Sequence, residues 1–484
     1  MEETWATSGT SSSTTPGTTP GTSLGVDLHL ETGGDASRHG VREGLTDALR
    51  DAVRGGRLTP GTRLPSSRSL AVDLGVARNT VADAYADLVA EGWLTARQGS
   101  GTRVAERVVT PPVRPTTPRR RGGAPTYDLG PGAPDLTSFP RAEWLKAARR
   151  AMATAPNDAF GYSDPRGRIE LRTALSGYLA RARGVHADPG RIVITAGFLH
   201  GLALLGRVLR ARGLPEAAVE SYGLNIHWNL LHRAGLSTVP LGFDALGTDV
   251  SGLGPDSPKA VLLTPAHQFP MGVPLHPDRR AAVVDWARRE GGVILEDDYD
   301  GEFRYDRQPV GALQGLDPEH VVYLGTASKS LAPGLRMGWL VLPSGLQDEI
   351  LDERHAAGAY GNALDELTLA EFIESGAYDR HVRAARLRYR RRRDQLVSAL
   401  AARAPEVRAT GIAAGLHAVL ELPPGTEQSI VQAANWEHLA VQGLSGFRHA
   451  DAAVQQRDAL VVGYGTPAEH AWAGALEALC RVVG

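Results

Sequence analysis

The chain is poor in several residue types, and each shortage excludes something. Its 484 residues include one cysteine, Cys480, so no disulfide can close within it and a reducing compartment suits it. Of 52 basic residues only Lys146, Lys259 and Lys329 are lysines. A genomic bias towards arginine explains the scarcity itself, yet arginine stays protonated. Chemistry that needs a neutral amine must therefore use one of these three or the N-terminus. No run of about 18 apolar residues occurs, which excludes a membrane-spanning helix. The opening Met1-Glu2-Glu3 has neither a basic region nor an apolar stretch, so no secretory signal is expected and the cytoplasm is the expected location. A net charge of −2 with 42% hydrophobic residues is ordinary for a globular protein and rules out a collagen-like or wholly disordered chain.

What the sequence does contain is organised in blocks. Residues 1–35, rich in Ser, Thr, Gly and Pro, bury too little apolar surface to offset ordering and read as a tail. A second break, "VVTPPVRPTTPRRRGGAP", makes 108–126 a linker whose prolines favour extended, semi-rigid backbone. Between them 36–107 forms a small module, and 127–484 forms a large body with a small subdomain mainly from about residue 380.

The small module reads as three helices and a hairpin. Val41, Leu45, Leu49 and Val53 recur at helical spacing until Gly55-Gly56. Ser66 or Ser67 can cap a second helix that ends at Gly75, and a third runs from about Arg78 to Glu91. "WLTARQGSGTRV" then reads as two short strands around a glycine turn. This is the pattern of a winged helix-turn-helix. Arg78, Asn79 and Thr80 open the third helix, the end that approaches base edges, where Arg suits guanine and Asn adenine. Ser67 and Arg68 can hold phosphates, while Arg97, Gly99, Ser100, Gly101 and Arg103 can enter the neighbouring groove. The module carries 11 arginines against eight acids, so the phosphate-seeking charge is localised there. A helical protein-interaction domain with solvated arginines is the alternative.

In the body, apolar runs alternate with helical stretches, which predicts a mostly parallel α/β sheet. The candidate strands are 191–196, 260–264, 292–297, 321–325 and 338–342, and several end in polar bursts that should converge beyond the strand ends. Lys329 can form an imine with an aldehyde. Arg336, Thr326, Ser328 and the backbone of Gly197-Phe198 can hold a phosphate. Asp297 can pair with a protonated pyridine nitrogen, and Tyr299 with a ring hydroxyl. Aldehyde, phosphate, pyridinium and phenol are the handles of pyridoxal 5′-phosphate. A divalent-metal reading of "EDDYD" stands beside this one.

"GRLTPGTRLPSSRSLAVDLGVARNTVADAYADLVAEGWLTARQGSGTRV" resembles the DNA-binding domain of GntR-type regulators. "YSDPRG", "TPAHQFPMG", "EDDYDGEFRY" and "GTASKSLAPGLRMG" resemble the aspartate-aminotransferase fold in its MocR/GabR branch, where a GntR-type reader is fused to an aminotransferase-like domain. The resemblance covers nearly everything from about residue 36. It implies a fold-type-I body, pyridoxal phosphate joined to Lys329, Asp297 at the ring nitrogen, Tyr299 at the ring hydroxyl and Arg336 at the phosphate. It also implies His267 among the cofactor contacts and a head-to-tail, domain-swapped homodimer. Two segments depart from the pattern. "VESYGLNIHW" brings Tyr222, the candidate ring-stacking residue, earlier than the usual turn, and "TAGFLHGL" puts Phe198 where polar residues are common. Arg448 is the candidate for an effector carboxylate, a solvated loop arginine being the alternative. The basic helix 381–396 is expected to face solvent rather than DNA backbone.

These readings predict a transcriptional regulator that binds double-stranded promoter DNA under control of pyridoxal phosphate, an amino-acid or amine effector, or both. An active aminotransferase carrying a reader, and a cofactor sensor governing vitamin B6 synthesis, are the other readings.

Overall fold

The computed structural model describes residues 38–97, 101–106, 125–162, 164–305, 310–357 and 361–484. The tail, most of the linker and the wing residues Gly99 and Ser100 lie outside these. The chain divides into two compact units, 1–120 and 121–484.

The first unit has helices α1 (Arg38–Arg54), α2 (Ser67–Leu74) and α3 (Arg78–Ala90), then an antiparallel hairpin of β1 (Leu94–Arg97) and β2 (Gly101–Val104). Ser66, not Ser67, caps α2: its hydroxyl accepts the Ser69 N–H at 3.1 Å. Gly75 ends α2 at φ 66°, a left-handed conformation that a side chain would strain. Val81, Ala84, Tyr85 and Leu88 line the buried face of α3 and meet Leu45, Leu49 and Leu70 in one core. The Tyr85 hydroxyl donates to the Pro65 carbonyl at 3.1 Å, which fixes α3 against the loop before α2. Ion pairs Arg42–Asp87 (2.6 Å) and Arg50–Glu91 (2.8 Å) brace α1 on α3. They are largely solvent-exposed, so they position the helices more than they stabilise them.

The second unit is built on eight strands: β3 (Ile192–Thr195), β4 (Glu216–Glu220), β5 (Ser237–Asp244), β6 (Gly247–Asp249), β7 (Ala260–Leu263), β8 (Val293–Asp297), β9 (Val321–Thr326) and β10 (Gly338–Val341). Their order is β3-β10-β9-β8-β7-β4-β5-β6. The run β9-β8-β7-β4-β5 is parallel, but β10 is antiparallel to both its neighbours and β6 is antiparallel to β5. The sheet is thus mixed, with six of its eight strands running one way, in keeping with the mostly parallel sheet that the apolar runs predict. Strands β3, β7, β9 and β10 are buried throughout, as expected for a sheet covered on both faces. Helix α4 (Phe198–Ala211) follows β3 and lies on one face, close enough that a Cβ at Gly201 would come within 2.9 Å of Leu340.

Helix α5 (Ala377–Arg403) leads to a second sheet of β11 (Arg408–Thr410), β12 (Ala418–Glu421), β13 (Gln442–Gly443) and β14 (Ala459–Val462), ordered β11-β12-β14-β13. Tyr127–Asp128 pairs in parallel with Leu439–Ala440, so the start of the body runs with this C-terminal layer. The basic stretch of α5 is only partly a solvent face. Arg392 is fully buried and donates to the carbonyls of Tyr464 (3.2 Å) and Pro467 (2.8 Å), with Glu469 at 2.8 Å to balance its charge. No described helix is long and apolar enough to cross a membrane.

Candidate functional site

The carboxyl ends of β4, β7, β8 and β9 open onto one cavity of about 450 Å³. Parallel strands leave their last backbone groups and following loops on a single edge, which is why residues so distant in sequence meet here. Asp297 ends β8 and Thr326 ends β9. Lys329 and Arg336 both lie in the connection from β9 to β10, and the antiparallel turn keeps that connection over the strand ends. Asp297, Tyr299, Thr326, Ser328, Lys329, Arg336, Phe198 and Tyr222 all line the cavity. Gly197 caps α4 with φ 85°, and a Cβ there would sit 3.4 Å from the Arg336 guanidinium. The first backbone N–H groups of α4 and that guanidinium therefore share one corner, an arrangement suited to an anion.

Lys329 Nζ donates to the carbonyl of Gly132, and Gly132 at φ 99° turns that carbonyl inward. Burial lowers the Lys329 pKa, while the charges of Asp297 and Asp300 oppose the shift. Burial raises the Asp297 pKa well above the carboxylate range, against the pull of Lys329, with Asp298, Asp300 and Glu220 adding to the rise. Asp297 Oδ1 is buried without a hydrogen-bond partner. A buried acceptor left unpaired is costly, and a cationic N–H donor entering the cavity would satisfy it. Thr326 Oγ1 lies 2.9 Å from Ser328 Oγ and accepts the Ser328 N–H at 3.1 Å, so both hydroxyls are held at the phosphate-sized corner.

Tyr299 is held from behind by a network not apparent in the sequence. Its hydroxyl donates to the His267 carbonyl at 3.1 Å, and His267 Nδ1 pairs with Asp300 Oδ2 at 2.8 Å. His267 is thus one layer outside the cavity. His417 packs beside it, ring centroids 5.2 Å apart, and binds the Pro270 carbonyl at 3.0 Å; burial pushes its pKa down to about 3. His267, Asp300 and His417 place ligand atoms within 4.8 Å of one another, but these hydrogen bonds already occupy the pair His267–Asp300. The remaining acids of "EDDYD" point apart. Glu296 accepts the N–H groups of Leu313 and Gln314, and Asp298 pairs with buried Arg183. Sequence spacing suggests one acidic cluster; strand alternation separates it.

Besides His267, expected among the cofactor contacts, two predicted residues sit differently from expectation. Tyr222 borders the cavity, but its hydroxyl donates to the Gln455 carbonyl at 3.3 Å and its ring meets Phe243 edge-on. Arg448 lies outside the cavity lining, and its guanidinium donates to the carbonyls of Ala452 and Val454. Residues not singled out by sequence are Glu220, His227 and Gly132. Glu220 faces the cavity with Thr248 at 2.8 Å, Thr264 and Gln268 bonded to its carboxyl, and burial raises its pKa to about 7. His227 packs on Phe198 with ring centroids 4.7 Å apart.

In the first unit, Arg68, Arg78, Asn79, Arg97, Gly101 and Arg103 are exposed, with Ser67 and Thr80 half-buried. Arg103 donates to the Gly61 carbonyl at 3.0 Å, which ties the hairpin to the loop before α2. Arg63, in that loop, is also exposed and lies against Gly101; its signal in the sequence was the basic turn "GTRLP".

Residues 37–104 match the family of bacterial regulatory proteins, gntR family, and residues 125–454 match aminotransferase class I and II. The HTH-type pyridoxine biosynthesis transcriptional regulator PdxR of Corynebacterium glutamicum is 34% identical over 75% of this chain and 80% of its own length. The probable rhizopine catabolism regulatory protein MocR of Rhizobium meliloti is 34% identical over 71% of this chain and 73% of its own. Among solved structures, an archaeal alanine:glyoxylate aminotransferase superposes with a TM-score of 0.67 at 23% identity, over 75% of this chain and 91% of that one, which shows the fold. With a GntR helix-turn-helix ahead of an aminotransferase-class domain, the chain belongs to the MocR-type branch of the GntR family, the HTH-type transcriptional regulators with an aminotransferase-like domain.

Proposed function

We propose that the cavity holds pyridoxal 5′-phosphate, attached at Lys329, and that its occupancy controls promoter binding by the winged-helix unit. The observation that carries this reading is a lysine amine and an unpartnered buried carboxylate oxygen, Asp297 Oδ1, facing one cavity. When bound, the cofactor supplies an aldehyde that exchanges carbon–nitrogen bonds with amines and a ring that draws electrons from the attached carbon. Asp297 would hold the proton on the ring nitrogen, and Tyr299, its own proton held by the His267 carbonyl, would accept a hydrogen bond from the ring hydroxyl. Arg336, Thr326, Ser328 and the backbone at Gly197 and Phe198 bind the phosphate. Tyr222 packs at the ring's edge. Arg448, with Nη2 on loop carbonyls and a buried Nε without a partner, is the candidate for an effector carboxylate.

On the DNA side, Arg78, Asn79 and Thr80 read bases, Ser67 and Arg68 hold phosphates, and Arg97, Gly99, Ser100, Gly101 and Arg103 of the wing enter the neighbouring groove. The reader spans 36–107, the linker 108–126 and the cofactor body 127–484. A homodimer presents two readers to spaced half-sites. Exposed apolar groups on the helix Arg141–Thr154, Leu145 and Met152, support a partner surface on the body. A ligand can shift such an assembly only by its differential affinity for two arrangements.

The test is spectroscopic. Incubation with pyridoxal 5′-phosphate should give a visible absorption band that Lys329→Ala abolishes, and borohydride reduction followed by mass spectrometry should place the adduct at position 329. Promoter binding should differ between cofactor-free and cofactor-loaded protein; equal affinity in the two states would remove the regulatory half of the reading. The full Lys329, Asp297, Tyr299 and Arg336 set also supports aminotransferase turnover, which an amino acid and a 2-oxo acid supplied together would reveal.

A further inference from the structure

From the pairing around the hairpin we infer that residues 61–64 form a third strand of the wing and bring Arg63 to the phosphate backbone of bound DNA. The inference rests on the DNA-side reading above and adds to it an element and a residue. Main-chain bonds define the strand. The N–H groups of Gly61 and Leu64 donate to the carbonyls of Val104 (3.0 Å) and Thr102 (2.9 Å), and the N–H of Val104 donates to the Thr62 carbonyl (2.9 Å). Arg63 and Arg103 thus stand directly opposite each other in an antiparallel bridge. They exchange no main-chain bonds, which is the cross-strand arrangement that brings side chains closer.

Strand alternation sorts this ribbon into two faces. Leu64, Leu94 and Val104 are buried in the core of the first unit, whereas Arg63, Arg97, Gly101 and Arg103 are exposed. Arg97 is the partner of Gly101 in the hairpin register. The Arg63 side chain reaches along the same face to Gly101, where a Cβ would lie 3.2 Å from its Nε and 3.8 Å from its Cζ. Three arginines therefore share one face, and residues 57–72 and 92–105 contain no Asp or Glu. Like charges directly opposite on a sheet repel, and a polyanion laid over that face turns the repulsion into attraction. Pro65 joins the strand to α2, whose Ser67 and Arg68 are assigned to phosphates, so Arg63 continues that line towards the wing. Its planar fork of donors suits phosphate oxygens.

The experiment titrates the full-length protein with two synthetic duplexes, one A·T-rich and one G·C-rich, over a series of salt concentrations. Arg63→Ala should weaken binding to both by the same factor and lower the slope of log affinity against log salt by about one, as expected for one lost phosphate contact. Arg63→Lys keeps the charge and should keep the native slope. Thermal melting separates this role from a structural one, because removing a repelling charge should leave the melting temperature unchanged or raise it. An unchanged slope in Arg63→Ala, a loss confined to one duplex, or a lowered melting temperature in that variant overturns the inference and leaves the DNA-side reading standing. If the native protein binds neither duplex, that reading fails and the inference falls with it.

Discussion

At the scale of single residues, Glu220 shows how burial converts into pH dependence. Its folded pKa of about 7 lies above the ordinary value of 4.5 because burial disfavours the ionised form. The protonated carboxyl therefore stabilises the fold fully below about pH 4.5, and that contribution is lost as pH rises through 7. Glu220→Gln cannot ionise, so the cofactor-free variant should lose less stability than the native protein between pH 5 and pH 8. The difference should be on the order of 2–3 kcal/mol, read from thermal melts at the two pH values. Gly415 gives a steric case. A Cβ there would meet His267 Cε1 at 2.4 Å and Asp300 Oδ2 at 2.5 Å, on backbone with φ 73°. Gly415→Ala should destabilise the body by about 1–3 kcal/mol and weaken cofactor binding by displacing the support of Tyr299, measurable by melting and by cofactor titration. Lys329 and Asp297 were legible in the sequence because a scarce amine and a strand-terminal acid have few alternative uses. The hold of His267 on Tyr299 was not, since it joins a loop to a residue 32 positions away by hydrogen bonds that no spacing encodes.

At the scale of elements, α2 was readable because a serine cap and a glycine stop bracket it, and α3 because its apolar period of 3.6 residues runs up to Gly92, although no side chain caps its start. The choice between Ser66 and Ser67 depended on backbone conformation: Ser66 is extended and Ser67 already helical. Ser66→Ala should cost about 1 kcal/mol, seen as faster amide hydrogen exchange confined to α2 in the full chain. Arg78→Ala should weaken specific DNA binding by about 1–3 kcal/mol in a promoter titration while leaving the cofactor band unchanged. Five of the eight strands were found from their apolar runs, while β4, β5 and β6 and the direction of β10 were not. A strand buried on both faces presents the same residues whether it runs parallel or antiparallel, so direction is decided by the short connection from β9.

At the scale of the whole molecule, the division into reader and body was visible in the Pro- and Gly-rich stretch between them, while the exposed apolar face proposed as a partner surface was not. Leu145 is 56% exposed and Met152 53% exposed, on one face of an otherwise amphipathic helix. Sequence periodicity assigns such residues to a core within the same chain and carries no signal that the neighbour is another chain. Leu145→Glu with Met152→Glu should shift the sedimenting species from two chains to one, with the cofactor-free body still folded by circular dichroism. An unchanged mass would exclude this helix from the dimer contact.

The bond from the Lys329 amine to the Gly132 carbonyl has a mechanical consequence. Gly132 stands eight residues beyond 124, the end of the undescribed stretch that leads back towards the reader. Thr466 grips the same loop, donating to the Gly130 carbonyl at 2.7 Å. Any event that spends the lysine nitrogen elsewhere unfastens one of several clasps on this loop and leaves the others closed. The chemistry of a single nitrogen thereby bears on how firmly the first loop of the body is held.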